Sequence, residues 1–391
     1  MAIVGAAVSS ITRRTERPLG GLVREACLGA LSEAGLGVSD VTGVATYPFP
    51  GYFVSGPKAG VDLVGVPWVV DHLRMENLSW YSESNEGLIG AGIIEGVNAI
   101  ITGLCDVVVV WRAMSRASGR SNFGGPQPGT TVSGDAQYTL PYKISAGVIT
   151  HALAYDRYQQ LYGATRAEMA TMVLSQRKKA SLNPQALYGD RKLTFDEYME
   201  ARMISDPLCL YDCDVPVYGA AALVLTSAER AKDLARRPAY ISGVSINTYH
   251  MGKIVGSFYM LQDRMAAGSA TARRLWNTAG FGPADVDVAE LYDGFAPSTW
   301  YWLEAAGFCK EGEAHEFIQN GTIEVDGALP LNTFGGSLSE GRMHGMGHII
   351  EATRQVTGDA GPRQVKDAEL AVVFDGSPLL RGSALALSST D

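Results

Sequence analysis

Cationic runs are missing from this chain of 391 residues. The longest is the short Arg177-Lys178-Lys179, within a formal net charge of −9. A nucleic-acid binder normally carries a basic stripe that neutralises phosphates, so that class of partner is set aside. Cysteine is scarce as well: the five are Cys27, Cys105, Cys209, Cys213 and Cys309, and only Cys209 and Cys213 lie close together. An odd, scattered set reads as free thiols in a reducing compartment, and the expectation is a cytoplasmic protein. The six histidines show no zinc-like spacing, so neither a metal nor a cofactor is expected. Long apolar runs are lacking too. The best, Gly87 to Leu104, is interrupted by Glu95 and Asn98 and reads as a buried helix rather than a membrane span. The opening MAIVGAAVSSITRR lacks the basic start of a signal peptide, and its apolar part reads as a buried first strand.

What is present fits a large core. Hydrophobic residues make up 46% and charged residues 19%, with 45 glycines, a profile too apolar and too weakly charged for disorder. Leu19–Leu36 reads as an amphipathic helix stopped by Gly37, and Val41–Pro48 as a strand. Gly87–Gly103 reads as a helix with a small-residue surface that lets a backbone or ligand approach closely, followed by the buried strand Asp106–Trp111. The stretch from about residue 115 to about 205 changes character. Within it Ser118–Ser133 reads as loop, while Ile144–Tyr162 and Arg166–Leu182 read as amphipathic helices, a helical excursion inserted in an α/β body. Ala220–Thr226 returns to strand. A second half follows with strands at Tyr240–Ser245, Val286–Leu291, Leu370–Phe374 and Ser383–Leu387, and helices at Met260–Ala279, Trp300–Gly307 and His348–Val356. The two halves alternate alike, but their direct sequence repetition is weak.

Four collinear segments, 162–189, 205–231, 290–314 and 331–358, read together. They resemble the thiolase superfamily in its sterol-carrier-protein-X branch, over nearly the whole chain. The resemblance implies a five-layer αβαβα fold of two related halves, here 1–235 and 236–391 with the helical insertion in the first. It also implies a homodimer and an acyl-CoA substrate. Yet the groups that carry thiolysis are absent. The place of the nucleophilic Cys, counted back from Asp106, falls on Glu86; Gly-His-Pro falls on Gly341-Arg342-Met343; the second Cys, of Cys-Gly-Gly, falls near Asp375-Gly376-Ser377. An acyl-cysteine intermediate needs a thiolate, so ordinary thiolase activity is rejected.

The same branch contains Cys-less steroid side-chain aldolases of the lipid-transfer-protein type, which this chain resembles more closely. Tyr292-Asp293-Gly294-Phe295 and Ser339-Glu340-Gly341-Arg342-Met343-His344-Gly345 match their motifs. Some members carry a second catalytic Tyr where Arg342 stands here. The resemblance implies retro-aldol cleavage of a β-hydroxyacyl-CoA bearing a steroid-like group, to a ketone or aldehyde and a short acyl-CoA. It further implies an OB-fold partner protein linked to an acyl-CoA hydratase. The competing readings are another Cys-independent carbon–carbon reaction on acyl-CoA, and a non-catalytic lipid-carrying or scaffolding subunit.

A retro-aldol step needs a base for the β-hydroxyl proton and donors for the enolate oxygen, but no nucleophile. Tyr292, after an apolar strand, is the first candidate base. A neighbouring cation, Arg342 or protonated His344, is expected to lower its phenol from the ordinary value of about 10; a packed strand-end aromatic is the plain alternative. His344 and His348 are four apart and share a helix face without a third metal ligand. His344 reads as either a proton-transfer group or a structural one, His348 as structural. Arg342 reads as a phosphate holder, a positioner of Tyr292, or a solvated surface residue. Gly335, Gly336 and Gly345 allow close approach of thioester and pantetheine, or serve tight turns. Asn332 orients backbone or water, and Asp293 orients Tyr292 or caps the helix that follows. Glu86 sits where a carboxylate gains from a helix dipole, with acid–base work as the alternative. Asp375 reads as a turn residue. If no Cys takes part, thiol alkylation should leave turnover largely intact; substrate-protected, stoichiometric inactivation traced to one Cys would contradict this.

Overall fold

Alternation along each strand decides the layering of this chain. In Val107–Trp111 the odd residues join one apolar cluster and Val108 and Val110 join another, so both faces of the strand are covered. The computed structural model describes residues 1–47, 58–84, 88–115, 137–138, 140–142, 144, 147–246, 261–379 and 382–391, with only the backbone of residues 262–264. In chain order the elements are β1 (Ala2–Val8), α1 (Leu19–Ala34), β2 (Gly43–Thr46), α2 (Val66–Leu73), β3 (Trp80–Glu83), α3 (Leu88–Ile101) and β4 (Val107–Met114). Then come α4 (Gly147–Tyr162), α5 (Arg166–Ala180), α6 (Phe195–Met199), β5 (Met203–Ser205), β6 (Leu208–Cys209), β7 (Gly219–Thr226) and α7 (Ala228–Ala231). The second half holds β8 (Ala239–Ile246), α8 (Leu261–Ala279), β9 (Val288–Leu291), α9 (Pro297–Ala305), α10 (Ala314–Phe317), α11 (Gly336–Ser339), α12 (Met346–Thr357), β10 (Leu370–Gly376) and β11 (Gly382–Ser388).

Nine of the strands form one sheet in the order β3-β2-β4-β7-β1-β8-β11-β10-β9, and β5 and β6 pair with each other apart from it. Its midpoint is the short antiparallel seam Ala2↔Tyr240 and Ile3↔Ala239. Outward from the seam the two sides repeat one pattern. β1–β7 and β7–β4 are antiparallel and β4–β2 parallel; β8–β11 and β11–β10 are antiparallel and β10–β9 parallel. Topology thus reveals an internal repeat that side-chain identity does not.

Three apolar clusters separate the layers. α1 and α2 cover the outer face of the first half through residues such as Leu22, Val23 and Val69. α3 and α12 lie between the inner faces of both halves, where Ile89, Ile93, Ile349 and Ile350 meet Val108, Leu223, Val373 and Leu385. α8 and α9 cover the outer face of the second half, with Leu275, Trp300 and Trp302 against Phe374 and Ala386. This is the expected five-layer α/β arrangement of the thiolase fold. The inserted helices α4 and α5 share that last cluster through Tyr155, Met169 and Met172, so the excursion from the first half packs on the second.

Most elements fall within a few residues of expectation. α9 begins earlier, at Pro297, because proline's missing N–H is no loss in the first helical turn. α12 begins at Met346 and so takes His348 into its first turn. The short α2 and the edge strand β3 were not foreseen; β3 alternates half-buried and exposed residues and carries Ser82 and Glu83, which mask its pattern. The expected loop at 118–133 lies outside the described residues. A buried polar network braces the second half: Arg363 forks onto Glu351 with two contacts of 2.9 Å, and Thr333 Oγ1 meets Glu351 at 2.8 Å and Glu290 at 2.9 Å. Removing one member strands the others, so Glu351→Ala should cost about 3–5 kcal/mol of stability, read by urea denaturation.

Candidate active site

The site is built at the end of β9, where the strand runs out into Tyr292-Asp293-Gly294-Phe295. The Tyr292 N–H donates to the Phe374 carbonyl at 2.9 Å. This carries the parallel β9–β10 ladder one step beyond the pair Phe374↔Leu291 and sets Tyr292 beside Asp375. Asn332 fixes the strand end. Its Nδ2 donates to the Leu291 carbonyl at 2.8 Å and its Oδ1 accepts the Leu291 N–H at 2.7 Å, both in full burial. The amide of Asn332 is therefore spent on backbone.

Asp293 is buried and ties three pieces together. Its Oδ1 accepts the Ser337 N–H at 2.8 Å and its Oδ2 the Leu338 N–H at 3.1 Å. It therefore caps α11, not the helix that follows it in sequence. Oδ1 also meets His348 Nε2 at 3.0 Å, and His348 stacks edge-on to Phe334 with ring centroids 5.0 Å apart. His348 is thereby a buried member of the scaffold. The glycines serve protein contacts. Gly336 and Gly345 have φ of +65° and +86°, and a Cβ there would collide with the Asp293 and Asp375 carboxyls respectively. At Gly335 the close neighbour is Ala180. Carboxylates and a helix lie where a side chain at these three positions would stand.

Arg342 lies half-buried with its Nε 2.7 Å from Asp214 Oδ2, while Nη2 contacts Oδ1 in a forked pair. Burial alone would lower the guanidinium, but Asp214 pulls its pKa up. The forked edge that a phosphate would need is taken by a carboxylate. The surrounding backbone is knitted too: Arg342 N–H donates to Val215 O at 2.8 Å and Asp214 N–H to Gly294 O at 3.1 Å. His344 Nδ1 lies 2.9 Å from Nη2 of Arg112, a buried residue at the far end of β4. A guanidinium only donates, so Nδ1 accepts and the proton sits on Nε2. Burial, then Arg112 and Arg342, push His344 well below its ordinary value, so it is a neutral imidazole.

The expected lowering of Tyr292 is not found. Burial raises its phenol well above 10, Asp214 and Asp375 add to that, and Arg342 only partly offsets them. Desolvation of a phenolate outweighs one cation that is already neutralised by a carboxylate. Tyr292 is consequently a proton-bearing phenol, its ring centroid 5.8 Å from that of His348. Asp375, read as a turn residue, is fully buried in β10. Burial lifts its carboxyl to about 7, against the amides of Gly90 and Gly376 and the charge of Arg112. Arg112 escaped notice because it ends an apolar strand run and belongs to no family motif, and Asp375, although it falls near the place of the family's second Cys, reads as a turn residue by its neighbours; a charge closing a buried strand was the available signal for both. Glu86 lies outside the described residues. Burial holds the thiols protonated, raising Cys27 to about 12 and Cys105 and Cys209 to about 11, and lifting Cys213 and Cys309 as well. Among the described residues no group of three His, Cys, Asp or Glu could hold a metal ion.

The arrangement therefore offers a phenol, a neutral imidazole and a carboxyl titrating near neutrality, with no activated thiol: the equipment for proton transfer, not for acyl transfer through sulfur.

Comparisons with known proteins agree. Residues 259–386 match the family described as Thiolase C-terminal domain-like. The chain is 35% identical over 369 residues to the 17-hydroxy-3-oxo-4-pregnene-20-carboxyl-CoA lyase of Mycobacterium tuberculosis, covering 91% of each. It is 32% identical over 365 residues to the steroid side-chain-cleaving aldolase of Thermomonospora curvata, covering 91% of this chain and 90% of that one. Its fold superposes on the solved Ltp2-ChsH2(DUF35) aldolase with a TM-score of 0.85 and 30% identity, over 99% of this chain and 97% of the other. Asn332→Ala should free the Leu291 backbone pair in a buried site and cost about 2 kcal/mol or more of stability in chemical denaturation.

Proposed function

We propose that this chain, which belongs to the thiolase superfamily in its steroid side-chain aldolase branch, cleaves the side chain of a steroid-like β-hydroxyacyl-CoA. The reaction is a carbon–carbon lyase reaction, a retro-aldol cleavage. The β-hydroxyl gives up its proton, its oxygen becomes the carbonyl of a ketone or aldehyde, and the Cα–Cβ bond breaks. The released electron pair passes through the thioester as an enolate, and Cα then takes a proton to give a short acyl-CoA. The observation that supports this reading is Arg112, which holds His344 Nδ1 at 2.9 Å while its charge acts on Tyr292 and Asp375, so that a phenol, an imidazole and a carboxyl gather where relatives of this fold that act through sulfur need a thiolate.

Tyr292 is assigned as the proton-transfer group at the reacting carbon. His344, with its proton on Nε2, is the uncharged donor toward the developing enolate oxygen; a donor whose own proton is held tightly stabilises that oxygen without surrendering it. Arg342 acts through Asp214 as a positioning residue beside Tyr292. Asn332, Gly335, Gly336 and Gly345 shape the binding surface from behind, by holding the strand end and admitting the two carboxylates. The boundary between the two halves is placed between α7 and β8, at residues 235 and 236.

The partner reading follows the same relatives. The solved aldolase that the chain matches carries two named components, Ltp2 and ChsH2(DUF35). We assign this chain an OB-fold partner of the second kind, linked to an acyl-CoA hydratase whose product is the β-hydroxyacyl-CoA substrate, and a homodimer at the centre of the assembly. A cytoplasmic location accords with five unpaired cysteines. No described helix is long and apolar enough to cross a membrane.

The test is direct assay of the purified protein, with and without an OB-fold partner, on a β-hydroxyacyl-CoA carrying a fused-ring group, with products read by mass spectrometry. Binding without cleavage would support a carrier or scaffold instead. Tyr292→Phe keeps the packing but removes the proton, and should lower kcat on the order of 10²–10⁴-fold with folding intact. Because the phenol proton of Tyr292 is held well above 10, its loss should produce no fall in kcat/KM below pH 10. Light scattering of the protein alone should give at least a dimer; an active monomer would contradict the assembly.

A further inference from the structure

Three polar side chains stand in one row across the second half of the sheet. Tyr292 follows Val288 and Glu290 on the inner face of β9, Asp375 follows Ala371 and Val373 on the inner face of β10, and Ser383 precedes Leu385 and Leu387 on the inner face of β11. The register makes them lateral neighbours. Asp375 pairs with Ser383 across the antiparallel ladder, and the Tyr292 N–H to Phe374 bond sets Tyr292 on its other side. Side chains on the same face of adjacent strands are about 5 Å apart at their bases. The row faces α3, whose Gly90 packs against Ser383 and gives its N–H to Asp375 Oδ2 at 3.4 Å.

The row contains unsatisfied polar atoms. Asp375 Oδ1 and Ser383 Oγ are buried with no hydrogen-bond partner, as is Oε2 of Glu290 one step back along β9. A buried carboxylate oxygen with no donor is costly, and a substrate hydroxyl is one donor that would satisfy it. Gly345, next to His344, lies against the same carboxyl. Arg112 from β4 and Tyr292 from the end of β9 are the ionisable groups that act on it.

We propose that Asp375 is the base of the reaction, taking the β-hydroxyl proton of the substrate on Oδ1 while Tyr292 delivers a proton to Cα. The proposal rests on the retro-aldol reading above and supplies the group that Arg342 cannot. The electrons of the O–H bond become the new C=O, the Cα–Cβ pair moves into the thioester enolate, and Cα takes the phenolic proton of Tyr292. The proton on Asp375 then passes along the row to restore Tyr292. Proton and electrons balance with no oxidant or further reactant. Ser383 Oγ is placed to hold the β-oxygen or the carboxyl that has just been protonated.

The experiment compares wild type and Asp375→Asn, each assembled with the partner, on the same fused-ring β-hydroxyacyl-CoA. Asp375→Asn is expected to lower kcat on the order of 10²–10⁴-fold with KM within a few-fold. Wild-type kcat/KM should rise with pH through an apparent pKa of about 7, as the carboxyl ionises, and this acid limb should be missing from the residual activity of Asp375→Asn. A purely structural Asp375 would move stability or KM but not that limb. Asp375→Asn with wild-type kcat would overturn the proposal and leave the retro-aldol reading standing; a wild type that does not cleave the substrate would overturn both. If Asp375→Asn does not fold, a wild-type kcat/KM that is flat between about pH 5 and about pH 8 would overturn the assignment by itself.

Discussion

The carboxyl group of Asp293 is the knot on which the site depends. It is fully buried, and its two oxygens accept the N–H groups of Ser337 and Leu338 in α11 while Oδ1 also meets Nε2 of His348. Those contacts join the end of β9, the glycine-rich turn before α11 and the first turn of α12. An uncapped helix start buried in this position would leave amides without partners, and a buried carboxylate without donors would be equally unfavourable. Each satisfies the other. Gly336 is required by the same contact, since a side chain there would collide with the carboxyl. The segment that carries Arg342, His344 and Gly345 starts from this anchor, so its geometry is set before any substrate arrives.

Around that anchor, charges are paired across elements in ways that determine protonation. Arg342 is committed to Asp214, and Arg112 to His344 Nδ1. The first pairing neutralises the cation that would otherwise stabilise a Tyr292 phenolate. The second fixes the tautomer of His344 and, with burial, keeps the ring uncharged. The consequence is a set of distinct protonation states: a phenol that keeps its proton, a neutral imidazole, and a carboxyl that titrates near neutrality. Groups pushed apart in this way divide acid from base work within one low-dielectric site.

The thiolase frame can lose its thiols because what it retains does not depend on any one nucleophile. The repeated sheet brings the ends of β9 and β10 and the start of α3 to one place, and both cleavage through sulfur and retro-aldol cleavage pass through a thioester enolate. Proton donors and fixed dipoles that stabilise that enolate serve either reaction. The side chain at the end of β10, here Asp375, can change the chemistry offered there without altering the strand, since the ladder bonds are made by backbone.

By itself the sequence determined the period of the strands, the start and stop of most helices, the motif positions around Tyr292 and His344, and the absence of cysteine where thiolysis needs it. These are local properties: alternation, capping and residue identity act over a few neighbours. Tertiary structure alone decided what each polar group does. Arg112 meets His344 across 232 positions, Arg342 meets Asp214 across 128, and Gly90 reaches Asp375 across 285. Arg342 is half of an ion pair, Gly336 and Gly345 leave room for carboxyls, and Asp375, which reads as a turn residue, is a buried titratable group. Protonation depends on desolvation and on charges within a few ångströms in space, and adjacency in sequence encodes neither.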